Sequence, residues 1–66
     1  MTIIVNGQPR ELDAPLTVEE LLRRLEVPGR GVAVELNLQL LPRARHGDHL
    51  LVDGDRLEIV SLVGGG

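Results

Sequence analysis

The chain has 66 residues and a formal net charge of −3, with seven Arg, no Lys, no Cys and no aromatic residue. This length fits one small domain, and its core must be aliphatic because thirteen Leu, eight Val and three Ile supply most of the apolar side chains. The missing Cys excludes disulfides, thiolate metal sites and cysteine nucleophiles. An acidic chain without a basic stripe is a poor binder of nucleic acid.

The chain begins with the pattern of a β-hairpin. Residues 2–5 are β-branched and are followed by Asn6-Gly7. Asn-Gly is typical of a type I′ turn, because both turn residues need a positive φ. The returning strand, residues 8–12, contains Pro9, which cannot donate a ladder hydrogen bond. We therefore expect this strand at an edge of the sheet.

The segment after the hairpin predicts one amphipathic helix. Thr17 and Glu20 have the spacing of a capping box, in which each satisfies an unpaired donor at a helix start. The apolar positions that follow have the spacing i, i+3, i+4, i+7 of one buried stripe: Val18, Leu21, Leu22 and Leu25. The pair Pro28-Gly29 is expected to end the helix, since the residue before a proline disfavours the α conformation.

Shorter strands are predicted in the second half of the chain. Residues 32–36 alternate between apolar and less apolar side chains, which is typical of a strand with one buried face. Asn37 is expected to turn the chain into a short strand that Pro42 closes. The polar stretch 43–49 predicts an irregular segment with one 3₁₀ or helical turn.

The last predicted strand runs from about Arg56 to Val63, after a tight turn at residues 53–55. Because side chains alternate along a strand, Leu57 and Ile59 should point to one face of the sheet. Val60 and Leu62 should point to the other face.

The order of these elements predicts an α+β fold: a mixed sheet of four or five strands packed on one helix. The helix that follows the first hairpin lets a later strand lie parallel to the first strand, which is the β-grasp arrangement of ubiquitin. Residues 1–63 would form the single domain and residues 64–66 a flexible glycine tail.

Neither a membrane span nor a signal peptide is indicated. No apolar run approaches the ~18 residues that a membrane helix needs, and the first residues lack a charged, apolar leader pattern. We therefore expect a cytoplasmic protein with no membrane contact, which is a monomer when free.

The polar residues do not assemble into a recognisable catalytic set. His46 and His49 flank Asp48, but the segment is interpreted as an exposed loop with solvated histidines. Asp53 and Asp55 flank Gly54, which a hairpin turn explains better than a calcium loop does. With few hydroxyl groups and no partner base, nucleophilic catalysis is not expected, and the chain is interpreted as a non-enzyme.

The remaining chemical feature is the glycine end, residues 64–66. A terminal carboxylate has an ordinary pKa of about 3.5, so at neutral pH it is an anionic oxygen nucleophile. It can attack the α-phosphate of ATP, but the activating site must then lie on a partner. Glycines keep such an end slim enough to enter a narrow channel.

The whole chain resembles the ThiS family, the small sulfur-carrier proteins of thiamine biosynthesis. The matching stretches are "IIVNGQ", "LTVEELL", "VAVELNLQLLPR" and "DGDRLEIV", followed by Gly65-Gly66. Gly64 falls where relatives often carry a side chain, and it is interpreted as added tail flexibility.

The resemblance implies a carrier chemistry at Gly66. A ubiquitin-activating-type adenylating enzyme, using Mg-ATP, would form an acyl adenylate there, and the chain itself would bind no cofactor. Sulfur from a cysteine desulfurase would convert the adenylate to a thiocarboxylate. Thiazole synthase would accept that sulfur, with deoxyxylulose phosphate and a glycine-derived imine as its other substrates, while Gly65 keeps the tail slim.

Two surface hypotheses accompany this interpretation. Val60 and Leu62 would form an exposed apolar patch near the tail that docks the partners, although a small sheet also exposes some aliphatic side chains without any function. Arg43, Arg45 and His46 would add a polar rim, for which ordinary solvated charge is an alternative explanation.

Other functions share these features. Carriers for molybdopterin synthesis and for tRNA thiolation have the same fold and Gly-Gly end, although molybdopterin relatives are usually longer and carry aromatic residues near the last strand. A ubiquitin-like modifier would also use the tail. A non-covalent β-grasp interaction domain would not need it, so deletion of Gly65 and Gly66 discriminates between these classes.

Overall fold

A computed structural model describes residues 1–28 and 30–62 and shows five strands, one α-helix and one 3₁₀ turn in this part of the chain. In chain order the elements are β1 (Thr2–Val5), β2 (Gln8–Glu11), α1 (Val18–Arg24), β3 (Val32–Leu36), β4 (Gln39–Leu41), the 3₁₀ turn (Arg43–Arg45) and β5 (Arg56–Ser61). None of the helices in the described ranges is long and apolar enough to cross a membrane.

The strands form one mixed sheet in the order β2-β1-β5-β3-β4. The central pair, β1 and β5, is parallel, with Ile4 opposite Arg56 and Val5 opposite Leu57. The other pairs are antiparallel. This topology confirms the predicted β-grasp arrangement and settles the number of described strands at five. It also places β2, which contains Pro9, at an edge as predicted.

Both hairpins turn through two residues with positive φ. In the first hairpin φ is 49° at Asn6 and 81° at Gly7, as the Asn-Gly pair predicts. In the β3–β4 hairpin φ is 52° at Asn37 and 72° at Leu38. Leu38 has a side chain in a conformation that favours glycine, so this second turn is strained.

The helix starts with the predicted capping box. The Glu20 amide donates to the Thr17 hydroxyl at 3.1 Å, and the Thr17 amide donates to the Glu20 carboxylate at 2.9 Å. The hydrogen bond from the Thr17 backbone amide is the main cause that lowers the pKa of Glu20 below its usual value. The ionised carboxylate is therefore part of the helix start.

The helix ends earlier than Pro28-Gly29 predicts. Its last residue is Arg24, and Glu26 adopts a left-handed conformation with φ 59°. The Val27 amide donates to the Leu22 carbonyl at 2.9 Å, and the Glu26 amide donates to the Arg23 carbonyl at 3.1 Å. These two bonds are those of a Schellman motif, which satisfies the last carbonyls before the proline is reached.

The core lies between α1 and one face of the sheet. Its most deeply buried side chains are aliphatic and come from the helix, the sheet and the loop before β5: Ile3, Val18, Leu21, Val34, Leu51 and Leu57. The predicted helix stripe supplies Val18, Leu21 and Leu22, while Leu25 is half-buried at the helix end. Burial of one helix stripe against one sheet face leaves the opposite sheet face uncovered.

Candidate functional site

The last described residues of β5 form the base of the predicted tail. Ser61 lies opposite Val32 in the β3–β5 register, and the Leu62 amide donates to the Gly31 carbonyl at 2.6 Å. The chain is therefore held in the sheet as far as residue 62. The predicted boundary at residue 63, the tail 64–66 and the proposed reactive residue Gly66 lie outside the described residues.

The two residues predicted to dock partners are exposed, as the strand pattern requires. Val60 is 53% exposed and Leu62 is 66% exposed, whereas Leu57 on the opposite face is buried. Val60 lies opposite the half-buried Ala33 in the neighbouring strand. Val60, Leu62 and Ala33 therefore form an apolar patch on the uncovered sheet face, directly before the tail. Its role in docking stays a prediction.

Two carboxylates border this apolar patch. Glu58 and Glu35 are directly opposite each other in the β3–β5 register, and both side chains are exposed. Directly opposite residues in antiparallel strands have Cβ atoms about 4.5–5.5 Å apart, and like charges in such pairs repel. These two exposed carboxylates give this border of the patch a negative charge, and Arg56 lies on the same face of β5 two residues before Glu58.

Asn6 holds the tail-proximal half of β5 through its side chain. Its Oδ1 accepts a hydrogen bond from the Ile59 amide at 2.7 Å, and its Nδ2 donates to the Ile59 carbonyl at 3.3 Å. The amide group thereby continues the β1–β5 pairing beyond the end of β1. Sequence reasoning assigned Asn6 only to a turn, although the predicted parallel pairing would have placed that turn beside β5.

The second turn asparagine, Asn37, holds the other end of β5. Its backbone amide donates to the Arg56 carbonyl at 2.8 Å, and its Oδ1 accepts from the Arg56 amide at 2.9 Å. Its Nδ2 donates to the buried carboxylate of Asp55 at 3.0 Å. Both hairpin turns therefore fix the strand that leads to the tail.

The structure contradicts the predicted polar rim at one residue, His46, and the role of the other two stays a prediction. Arg43 and Arg45 are exposed on the 3₁₀ turn, where Arg45 pairs with Asp48 at 3.2 Å. His46, predicted as a solvated rim residue, is 5% exposed. Its Nε2 lies 3.2 Å from the carbonyl of Leu41, which only accepts, so Nε2 donates.

His46 is buried because the 3₁₀ turn packs against the start of α1. The His46 carbonyl accepts a hydrogen bond from the Glu19 amide at 2.9 Å, and the carbonyl of the half-buried His49 accepts from the Val18 amide at 3.0 Å. Two backbone donors of the helix start are thus satisfied by this loop. The segment has a structural role that its polar composition concealed.

The aspartates around Gly54 also bind the backbone. Asp53 Oδ1 accepts from the Thr2 amide at 2.7 Å, and Asp55 Oδ2 accepts from the Val52 amide at 2.9 Å. Within residues 1–28 and 30–62, no three His, Asp or Glu side chains are grouped closely enough to hold a metal ion.

Comparisons with known proteins agree with this architecture. A model of the ThiS family matches residues 3–66. The chain is 46% identical over 66 residues to a thiazole synthase of Paramagnetospirillum magneticum, but spans only 20% of the length of that protein. It is 35% identical to the sulfur carrier protein ThiS of Escherichia coli, and this match covers 100% of both chains.

A solved structure extends the likeness to three dimensions. The crystal structure of the thiamine biosynthesis protein ThiS from Geobacter metallireducens superposes with a TM-score of 0.84 at 39% identity, covering 100% of both chains. The family match, the full-length relatives and the shared fold lead to one conclusion: this chain belongs to the ThiS family.

Proposed function

We propose that this chain is a sulfur carrier for thiazole formation in thiamine biosynthesis, and that Gly66 carries the sulfur. The observation that supports this most is the family match, which runs without interruption through the glycines to Gly66. The geometry agrees with this proposal. Hydrogen bonds hold β5 near both of its ends, and the chain stays bonded to the sheet as far as the exposed Leu62.

The chemistry takes two steps on the Gly66 carboxylate. A carboxylate oxygen attacks the α-phosphate of Mg-ATP held by an adenylating enzyme, forming the acyl adenylate and releasing pyrophosphate. Hydrosulfide then attacks the carbonyl carbon, and AMP leaves with the electron pair of the broken C–O bond; where the sulfur starts as a desulfurase persulfide, a thiol reductant supplies the two electrons that release it as hydrosulfide. The product is a thiocarboxylate, and ATP, magnesium and the catalytic groups all belong to the partner.

Thiazole synthase is proposed as the sulfur acceptor. Two relatives that are named thiazole synthase contain a region that matches the whole of this chain, which makes up 20% of each protein. A carrier region and a thiazole synthase thus occur on one polypeptide. For this chain we propose the same partnership, with a cysteine desulfurase as the sulfur source and the cytoplasm as the compartment.

The decisive experiment is the intact mass of the chain after incubation with Mg-ATP, sulfide and its cognate adenylating enzyme. Sulfide supplies the sulfur already reduced, so no desulfurase is needed. We expect a mass gain equal to one sulfur replacing one oxygen, and no gain in a variant that lacks Gly66. An unchanged mass with an enzyme of proven activity would contradict the proposal and favour a non-covalent interaction domain.

The docking role of the apolar patch has its own test. Val60→Asp places a charged carboxylate within the apolar patch, where a covering partner would remove it from water, so we expect the adenylation rate at limiting enzyme to fall roughly 10-fold. Val52→Asp is the matched control, because the exposed fraction of Val52 is 56% and that of Val60 is 53%. Val52 lies in the loop before β5, whereas Val60 lies near the end of β5. Equal rates for the two variants would show that the patch does not dock the enzyme.

A further inference from the structure

The tail-proximal end of β5 has one open edge. Backbone groups of successive residues in a strand point to alternate sides, and the Leu57 carbonyl accepts from the Asn6 amide on the β1 side. Ile59 points to the same side, where the Asn6 side chain binds it. The next residue in this series is Ser61, which lies beyond the reach of the first hairpin.

The pairing with β3 confirms this direction for Ser61. The Leu62 amide donates to Gly31, so Ser61 and Val32 form the non-hydrogen-bonded pair between two bonded ones. The N–H and C=O of Ser61 therefore point away from β3, and no residue in the described ranges binds them. An unpaired strand edge of this kind is a template for another extended chain.

A groove opens directly beside this edge, on the helix side of the sheet. Its volume is about 370 Å³. The walls are largely aliphatic and come from three strands and the helix end: Val5, Leu25, Val27, Val32 and Ile59. Gln8, Arg10 and Ser61 stand among its polar lining residues. The groove thus offers an apolar interior with one exposed positive charge, that of Arg10, in its lining.

We propose that this edge and groove bind an extended segment of the adenylating enzyme. The segment adds to β5 as a strand by hydrogen bonds with the Ser61 backbone, places one aliphatic or aromatic side chain in the groove, and pairs a carboxylate with Arg10. Strand addition with alternate side chains in pockets is a common mode of peptide recognition. The identity of the partner rests on the proposed function; the chemistry of the segment rests on the groove.

Other occupants fit less well. The glycines at 64–66 have no side chain that could fill an aliphatic groove. A helix cannot pair with a strand edge, because its backbone groups are bonded internally. Every sulfur-transfer route first needs the adenylating enzyme, whereas the acceptor differs between routes. We therefore assign the groove to the adenylating enzyme and not to a sulfur acceptor. The groove also lies on the opposite side of the sheet from Val60, so the segment leaves that patch free for the second contact with the same enzyme that is proposed above.

Amide hydrogen exchange of the full chain, with and without the cognate adenylating enzyme and without ATP, tests this directly. We expect the Ser61 amide to exchange at least ~10-fold more slowly in the complex, because strand addition gives it a hydrogen-bond acceptor. The Leu40 amide is the matched control. By the β3–β4 register it points outward at the far edge of the sheet, and its rate should not change.

Two pairs of variants separate the contacts. Ser61→Pro removes the open-edge donor and leaves the bonds to β3, and Leu40→Pro makes the same change at the far edge. Arg10→Glu reverses the charge in the groove, and Arg24→Glu does so on the exposed side of α1. We expect Ser61→Pro and Arg10→Glu each to raise the Kd for the enzyme about 10-fold or more. Leu40→Pro and Arg24→Glu should each change the Kd less than ~3-fold.

The outcomes distinguish this proposal from the proposed function. A normal mass gain at Gly66 with an unprotected Ser61 amide would overturn the proposal and leave the carrier function intact. Protection that grows with protein concentration alone would identify a second copy as the occupant, and protection by thiazole synthase alone would reassign the groove; both results overturn the proposal. Absence of both binding and mass gain would reject the two together.

Discussion

Replacement of Asn6 tests whether a turn side chain holds the strand that carries the tail. Asn6→Ala removes both hydrogen bonds to Ile59 and places alanine at φ 49°. Asn6→Gly removes the same two bonds but tolerates the positive φ. Comparison of the two variants therefore separates the contribution of the hydrogen bonds from that of backbone strain.

The magnitude follows from the geometry. Each hydrogen bond contributes about 0.5–1.5 kcal/mol, so loss of the two bonds in Asn6→Gly should lower the free energy of unfolding by about 1–3 kcal/mol. A left-handed alanine costs about 1 kcal/mol more, which brings Asn6→Ala to about 2–4 kcal/mol. A chain of this size has a total stability of roughly 3–10 kcal/mol, so the loss would be a large share.

The assay is urea unfolding followed by far-ultraviolet circular dichroism, because the chain has no aromatic residue to report by fluorescence. Amide exchange at Ile59 gives the local effect, and its protection should fall in both variants. If Asn6→Gly unfolded at the urea concentration of the parent chain and Ile59 kept its protection, the side-chain bridge would contribute nothing, and the reasoning would be refuted.

Three further variants test separate features. Leu38→Gly should raise the free energy of unfolding by about 0.5–1 kcal/mol, because Leu38 is 91% exposed at φ 72° and thus loses strain without losing packing. The pKa of Glu20 is lowered in the folded state, so the Glu20 carboxylate stabilises the fold at pH values above its ordinary pKa of 4.5. This stabilisation is lost as the pH falls through the lowered pKa. Glu20→Gln should therefore weaken the acid dependence of thermal unfolding. His46→Ala should lower the free energy of unfolding by about 1–3 kcal/mol in urea unfolding, yet leave adenylation of the folded protein unchanged, since His46 is a buried packing residue and not part of a docking rim.

Local signals were sufficient to predict most elements of the fold. Asn6-Gly7 predicts a turn because the two residues share a conformational requirement, and Thr17 with Glu20 predicts a helix start because both bonds lie within four residues. The alternation of Leu57 and Val60 identified opposite faces of β5 correctly. These predictions succeed because each depends on neighbours in sequence, which a single chain displays directly.

The remaining features depend on contacts between distant residues. His46 looks solvated in a polar stretch, and only its packing against the start of α1 buries it. Glu26 ends the helix in a conformation that its own side chain does not favour, so no local signal marks it. The bridge from Asn6 to Ile59 joins residues 53 positions apart, and composition carries no trace of it.

The two turn asparagines hold the strand that leads toward the proposed reactive end. β5 is the central strand, so β1 and β3 restrain it on both sides, and Asn37 and Asn6 add side-chain bonds near its start and its end. This restraint extends as far as Ile59 on one side and Leu62 on the other. Ser61 is thus the first residue of β5 with one side available to another protein. An enzyme that binds there would complete the restraint on the strand immediately before the glycines, and would fix the direction in which Gly66 approaches its active site.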